Sequence, residues 1–489
     1  MASLNKTYTD TKLGGKIYTP TFIIEKILND IGYDNPSILG KNIIDPACGD
    51  GRFLIQIVKR IIKHSGLKDL SSNLSYVSGW DIDASAIHKA IEHLDSLTAK
   101  YDINIKWNLS VRDSLSEYEE GKYDFVVGNP PYIRIQHLRS AQRKYIQENY
   151  PFCQSGSTDI YIAFYELGNR LLTPSGKLGF ITPNTFFNSQ TAKQLRRFFE
   201  KNNNLIQISN YGTIQLFDNA STYSAIVVFD KQKRKSFLYQ SAIDKFSFKE
   251  RKIDFQEIAG STFWQLSTGR NTHTQGNRLL DIAEIHVGIT TLADRVYISP
   301  FLKKKKNEIL LRTKLGGDVW IEKDILRPII KASKLKKSDE PIREYVIFPY
   351  HKHNGKIQII PENQMRENFP KAFRYLLSLK DILDKRDAGK PNKVSWYAFG
   401  RTQGLETSFG KKILFSPMNK EPNFILSENE EASFYSGYCI KYKGDYSTLL
   451  QQLNSIRMKK YIARSARDFR SGWKAYNKAI VGEFIIENH

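Results

Sequence analysis

The residues with the clearest chemical use stand at 129–132, where the apolar run "YDFVVG" (123–128) breaks into Asn129-Pro130-Pro131-Tyr132. A turn needs only one proline and a glycine. Here two prolines follow an amide and precede an aromatic ring. Each proline fixes its own φ, and Pro131 also restricts Pro130, so the Pro130 carbonyl is held in one direction. The Asn129 side chain offers a second oxygen beside it. Together they form a rigid pair of hydrogen-bond acceptors at the end of a buried strand, suited to holding a planar amine or amide.

Three other strand ends carry groups of a different kind. "DPACGDGRFL" (45–54) follows the run "NIID", and Gly49 and Gly51 allow a tight turn in which backbone approaches a ligand at the next helix N-terminus. Leu54 stands where a full GxGxxG spacing would require glycine, so this turn alone is no better than an ordinary strand-to-helix connection. "YVSGWDID" (76–83) ends in Asp81, which can accept two hydrogen bonds from a ribose diol, while Asp83 is placed to cap the following helix. Asp113, in "VRDSL", can accept from an adenine amino group. Successive strand ends with these groups point to an adenosine-containing ligand lying along the sheet edge.

The elements that must position them alternate. Strand-like runs at 42–45, 76–83, "IKWNLS", "DFVVGN", 176–184, 205–212 and 223–230 are separated by helical periodicities such as "RFLIQIVKRIIKH" and "ASAIHKAIEHLDSLTAK". Seven strands with intervening helices predict a doubly wound α/β sheet with ligands at its carboxyl edge. The pattern stops at the charged stretch "DKQKRKS" (230–236), which sets the expected boundary: a catalytic domain over 1–235 and an irregular α+β domain over 236–489. Longer helical pieces are expected near 369–386 and 446–468.

"DPACGDG", "GWDID" and "NPPY", in this order and preceded by "KIYTPTFIIEKIL", resemble the S-adenosylmethionine-dependent adenine-N6 DNA methyltransferases. The arrangement is similar to their gamma class, with cofactor motifs first and the target recognition domain last. The resemblance spans 16–230 and continues more loosely as "VGITTLADRVY" (287–297), "ILRPIIKASKL" (325–335) and "WYAFGRTQ" (396–403). It implies a cofactor site formed by Thr19, Pro20, Asp45, Ala47, Gly49, Gly51, Asp81, Ile82, Asp113 and Asn129, with Thr19 and Pro20 folded over the methionine end and Ile82 on the adenine.

It also implies the reaction. The exocyclic nitrogen of adenine is a poor nucleophile because its lone pair is delocalised into the ring. Two acceptors, the Asn129 oxygen and the Pro130 carbonyl, can hold its hydrogens and turn the lone pair toward a methyl donor. A base in duplex DNA must first be flipped out. Tyr132 is expected to stack on it, with Phe217 as the second aromatic or, alternatively, as a core residue. The implied partners are double-stranded DNA and, for an enzyme acting as a monomer, a separate cognate restriction endonuclease. The modification enzyme of a prokaryotic, cytoplasmic restriction-modification system is the expectation.

Composition agrees with that class. The chain has 489 residues and is 40% hydrophobic, enough for two or three domains, and has no run of eighteen apolar residues. Cys48, Cys153 and Cys439 lack CxxC spacing and suit a reducing compartment. The net charge of +22 divides as +2 over residues 1–230 and +20 over 231–489, which points to a polyanion met by the second part or, alternatively, to a solvated basic surface. "RIQHLRSAQRKY" (134–145) and "RSARDFRSGWKAY" (464–476) are candidate DNA contacts, and "KKKK" (303–306) is either a phosphate contact or a solvated loop. His351 and His353 have no companion ligands, so no metal is expected. The motifs start about fifteen residues in, which leaves no N-terminal nuclease expected. The NPPY tetrad also occurs in enzymes that methylate RNA or protein glutamine side chains, and a non-catalytic DNA-binding module is a third alternative.

Overall fold

The computed structural model describes residues 18–487 except 117, 119, 155, 157, 218–221, 270–274, 354 and 467–468. The chain divides into two compact units, Met1–Asn271 and Thr272–His489.

The first unit is built on a nine-stranded sheet of order β3-β2-β1-β4-β5-β7-β6-β8-β9. The strands are β1 (Ile43–Asp45), β2 (Val77–Asp81), β3 (Asn108–Val111), β4 (Tyr123–Gly128), β5 (Leu172–Pro183), β6 (Leu205–Asn210), β7 (Ser224–Phe229), β8 (Ser236–Ala242) and β9 (Phe248–Asp254). β1 to β5 pair in parallel, while β7 runs antiparallel to both β5 and β6.

Adjacent strand residues feed opposite faces, as a period of two requires. Ile43, Val127, Ile181 and Val228 join one buried cluster with Ile23, Ile27 and Leu28 of α1 (Thr21–Asp30), Leu54, Ile57 and Ile61 of α2 (Arg52–His64), and Ile87 and Leu94 of α3 (Ala84–Thr98). Ile44, Val126, Phe180 and Val227 join the other, with α5 (Tyr161–Leu171) and α6 (Lys193–Asn202). Burial on both faces explains why these strands read as continuous apolar runs. The order reverses between β1 and β4, so a crevice opens at their carboxyl ends.

The first seven strands are those expected. The boundary is not at 235/236. β8 pairs in parallel with β6, Gln207 opposite Leu238 through Asn210 opposite Ser241, and β9 returns beside it. The charged stretch before β8 is a connection whose charges are partly satisfied: Arg234 pairs with Asp230 at 2.9 Å and Lys231 Nζ donates to the Leu172 carbonyl at 2.6 Å. Lysines along an edge strand look like a linker in sequence because both are solvated.

The second unit is α+β, with a six-stranded and a four-stranded sheet, a short hairpin of Tyr350–His353 with Lys356–Ile359, and two-stranded pairings between distant segments. Two of its resembling segments meet: the Gly400 amide donates to the Thr291 carbonyl at 2.9 Å, and that of Arg401 to Thr290 at 3.2 Å. "ILRPIIKASKL" forms the strand Leu326–Lys331. The two long helical pieces are each broken, into Pro370–Ser378 and Lys380–Asp384, and into Tyr446–Leu453 and Ile456–Ser465. In the latter pair Ser455 caps the second helix by accepting from the Met458 amide, which restarts the helix rather than continuing it. Among the described residues no helix is long and apolar enough to cross a membrane.

Candidate active site

A cavity of about 710 Å³ lies at the carboxyl ends of β1, β2, β3 and β4. Thr19, Asp45, Ala47, Gly49, Asp81, Ile82, Asp113 and Asn129 all line it, so four strand ends far apart in sequence converge as expected. Its size is that of a small-molecule or cofactor site.

The floor is set by carboxylates and amides. Asp45 is 1% exposed at the end of β1, and its Oδ1 accepts from the Ala47 amide at 3.0 Å. Gly128 must lack a side chain for this to fit, since a Cβ there would stand 2.5 Å from Asp45 Oδ1. The residue before Asn129 is therefore tied to the first strand end. Asp81 accepts from the Gly49 amide at 2.9 Å through one oxygen and from the Asp83 amide at 2.9 Å through the other. It thus holds the glycine turn as well as facing the cavity. Gly49 has φ +53 and Gly51 φ +85, with the latter packed against Ala90, so the turn needs both glycines for different reasons. Asp113 Oδ1 accepts from the Leu115 amide at 3.0 Å. Ile82 is 68% exposed, an apolar side chain displayed at the cavity wall beside two acids.

Burial, reinforced by the nearby Asp81 charge against the opposing Ala47 hydrogen bond, pushes the Asp45 carboxyl up to about 8. A carboxyl raised on folding binds more protons in the native state than in the unfolded chain between the ordinary carboxylate range and about pH 8. Stability therefore falls as pH rises through that window and levels off above it. Thermal melts of the ligand-free protein are expected to show this slope, and Asp45→Asn is expected to flatten it. A parent and variant with parallel pH profiles would remove Asp45 as its source.

The tetrad follows β4. Asn129 Nδ2 donates to Thr19 Oγ1 at 3.1 Å, which orients the amide, and the Tyr132 hydroxyl contacts both Asn129 Oδ1 and, at 3.1 Å, the Ile181 carbonyl. Burial pushes the Tyr132 phenol well up, so it remains a donor. Its ring stands edge-on to Tyr161 with centroids 6.2 Å apart, against the core rather than along the cavity lining. Pro130 is buried, and Pro131 and Ile133 line the cavity. Pro20 precedes α1, its carbonyl accepting from the Ile23 and Ile24 amides.

Phe217 departs from the stacking expectation. It is 3% exposed and belongs to the buried cluster of Tyr211, Leu216 and Ile226. The connection after β6 folds back on that cluster, and the ring gains more from apolar contact there than from solvent exposure. The core alternative describes it.

Several cavity residues were not singled out from sequence. Arg112 lies 4.4 Å over the Trp80 ring, and Arg52 lies 4.4 Å over Tyr18, so the cavity lining carries two stacked guanidinium groups. α4 (Ser140–Asn149) walls one side through Ala141, Gln142, Tyr145 and Ile146. Leu138, Ala141, Gln142, Tyr145 and Ile146 recur at helical spacing, a signal that the basic character of the segment obscures.

Residues 53–217 match the Eco57I restriction-modification methylase family. Over this segment the chain is similar to that family. The matched segment runs from α2 to the connection before β7 and contains the tetrad. Curated relatives extend the likeness. The type II restriction enzyme and methyltransferase RM.Eco57I of Escherichia coli is 24% identical over 484 residues, covering 80% of this chain and 48% of its own length. The type II methyltransferase M.BanIII of Aneurinibacillus aneurinilyticus is 25% identical over 490 residues, 87% of this chain and 80% of its own. The chain therefore spans about half the length of the first relative. Among solved structures, the Type IIL restriction-modification enzyme MmeI in complex with DNA aligns at TM-score 0.59 and 10% identity, covering 94% of this chain and 65% of its own. That likeness is one of fold.

Proposed function

We propose that this chain transfers a methyl group from S-adenosylmethionine to N6 of adenine in double-stranded DNA, as the modification enzyme of a restriction-modification system. The observation that carries the reading is the tetrad's position: Asn129 stands at the switch-point end of β4, on the wall of the same cavity as Asp81, Ile82 and Asp113.

The cavity residues fit the cofactor. Asp81 faces the cavity with acceptor capacity beyond its two backbone bonds, as a ribose diol requires. Ile82 is an apolar surface for an adenine face, Asp113 an acceptor for its amino group, and the stretch Thr19-Pro20 a cover for the amino-acid end. Asp45, Ala47, Gly49 and Gly51 shape the floor. When bound, S-adenosylmethionine supplies an electrophilic methyl group. The protein's part is then positioning and fixed dipoles. Asn129 Oδ1 and the Pro130 carbonyl accept from the adenine amine and direct its lone pair, Thr19 keeps the amide in register, and the displaced proton leaves to water.

The target base must leave the duplex to reach Asn129. Tyr132 stacks on it after turning from its place against Tyr161. We assign the Met1–Asn271 unit to catalysis and Thr272–His489 to target recognition. The second unit carries 39 Lys and Arg against 24 Asp and Glu, a net +15, which suits a phosphate backbone.

The test is direct. Purified protein incubated with methyl-labelled S-adenosylmethionine and duplex DNA is expected to yield labelled N6-methyldeoxyadenosine after digestion to nucleosides, at sites located by methylation-aware sequencing. Label on protein glutamine or RNA, with none on DNA, would overturn the assignment.

A further inference from the structure

The β8–β9 hairpin has no part in the cavity, and its shape and location give it a use. β8 runs parallel to β6, and the sheet directions place its carboxyl end on the same edge as Asp45, Asp81 and Asn129. Its tip is organised rather than loose. Asp244 Oδ1 accepts from the Phe246 and Ser247 amides, both at 2.8 Å, and the Ile243 amide donates to the Ser247 carbonyl at 2.8 Å. That turn displays large apolar side chains to solvent: Phe246 is 76% exposed and Ile243 59%.

Phe246 is anchored on one side only. Its ring lies 5.2 Å from Phe22, in the first turn of α1. Phe22 stands three positions after Thr19, the partner of Asn129, a span of at most about 11 Å. The aromatic pair is thus on the approach to the catalytic amide. Charge points the same way. Residues 231–254 hold eight Lys and Arg against three Asp and Glu, a net +5, while residues 1–230 hold only +2. Lys245 at the tip and Lys249 just beyond it are exposed. Lysines alone on an edge strand would be explained as protection against strand pairing, but an exposed phenylalanine held out at the tip works against that purpose.

We propose that the β8–β9 hairpin is a DNA-contacting element of the first unit. Its tip, Ile243–Ser247, bears on the duplex beside the target adenine, with the Phe246 ring against sugar and base edges and Lys245 and Lys249 on phosphates. This rests on the reading that the substrate is duplex DNA.

The experiment uses the full chain, a fluorescein-labelled duplex of plasmid sequence for anisotropy, and S-adenosylhomocysteine in calorimetry as an independent measure of the cavity. Phe246→Ser is expected to weaken duplex binding about tenfold, as loss of an apolar wedge would. The double variant Lys245→Ala/Lys249→Ala is expected to lower the slope of log affinity against log salt by about 1 to 2. S-adenosylhomocysteine affinity should match the parent in both, since neither side chain reaches the cavity. The inference is overturned if the parent binds duplex and both variants bind it with the same affinity and slope. It is equally overturned if Phe246→Ser instead dissolves a dimer of the parent in sedimentation while duplex affinity stays constant, because the patch would then seat a second copy. A parent that binds no duplex at all would count against the DNA reading itself.

Discussion

Asn129→Ala is expected to lower kcat by about a hundredfold or more, roughly 2.7 kcal/mol or greater, the scale on which a single preorganised hydrogen-bonding group acts on a developing charge. The loss should fall on the chemical step. On the proposed mechanism Asn129 offers its oxygen to the amine as that nitrogen becomes pyramidal, so the interaction strengthens toward the transition state and contributes little to the ground state. S-adenosylhomocysteine and duplex affinities are therefore expected to change far less than kcat. Single-turnover methyl transfer beside equilibrium binding separates the two. A drop of less than about tenfold in the single-turnover rate would mean that the amine is activated without this acceptor.

Asp81→Ala should act on the other side of that division. Two hydrogen bonds to a carboxylate, at about 1.5–3 kcal/mol each, predict a cofactor affinity lower by at least about two orders of magnitude. Asp81 also holds the Gly49 amide at 2.9 Å, so the alanine variant loosens the glycine turn as well. Asp81→Asn distinguishes the two roles. It keeps an oxygen for one amide but presents a donor where the diol needs an acceptor. The asparagine variant is expected to melt close to the parent and still bind S-adenosylhomocysteine weakly. Parent-like affinity in Asp81→Asn would restrict Asp81 to holding the turn.

What the sequence made legible were the groups at strand ends. An apolar run that stops at an acid, a glycine turn or an amide carries both the element and its polar tip, which is why the strand-end residues Asp45, Asp81, Asp113 and Asn129, which line one cavity, are legible in the sequence. What it concealed were contacts set by tertiary packing. Tyr132 and Phe217 are aromatic residues beside the site, and nothing local to either shows whether its ring faces a ligand or the core. α4 reads as basic because its solvent face is basic, while Leu138, Ala141 and Ile146 near its start and middle line a cavity. β8 is hidden by the charged connection that precedes it, and β9 because an edge strand and a linker share the same solvated composition. The break at 379 is masked because Ala372, Leu376 and Leu383 keep one helical phase across it, whereas at 454 the buried positions change phase between Leu449 and Leu453 on one side and Met458 and Ile462 on the other.

The hydroxyl of Tyr132 on Asn129 Oδ1 has a kinetic meaning. On the proposed mechanism, the acceptor that acts on the amine is engaged by the protein before a base arrives. Admission and activation would then be coupled: the ring that swings out to cover the purine is the same ring whose hydroxyl leaves the oxygen. A small amine without a flat face to attract Tyr132 would not draw that hydroxyl away. On this reading, preference for a base over other nitrogen nucleophiles rests in part on a single side chain, before any sequence in the DNA has been read.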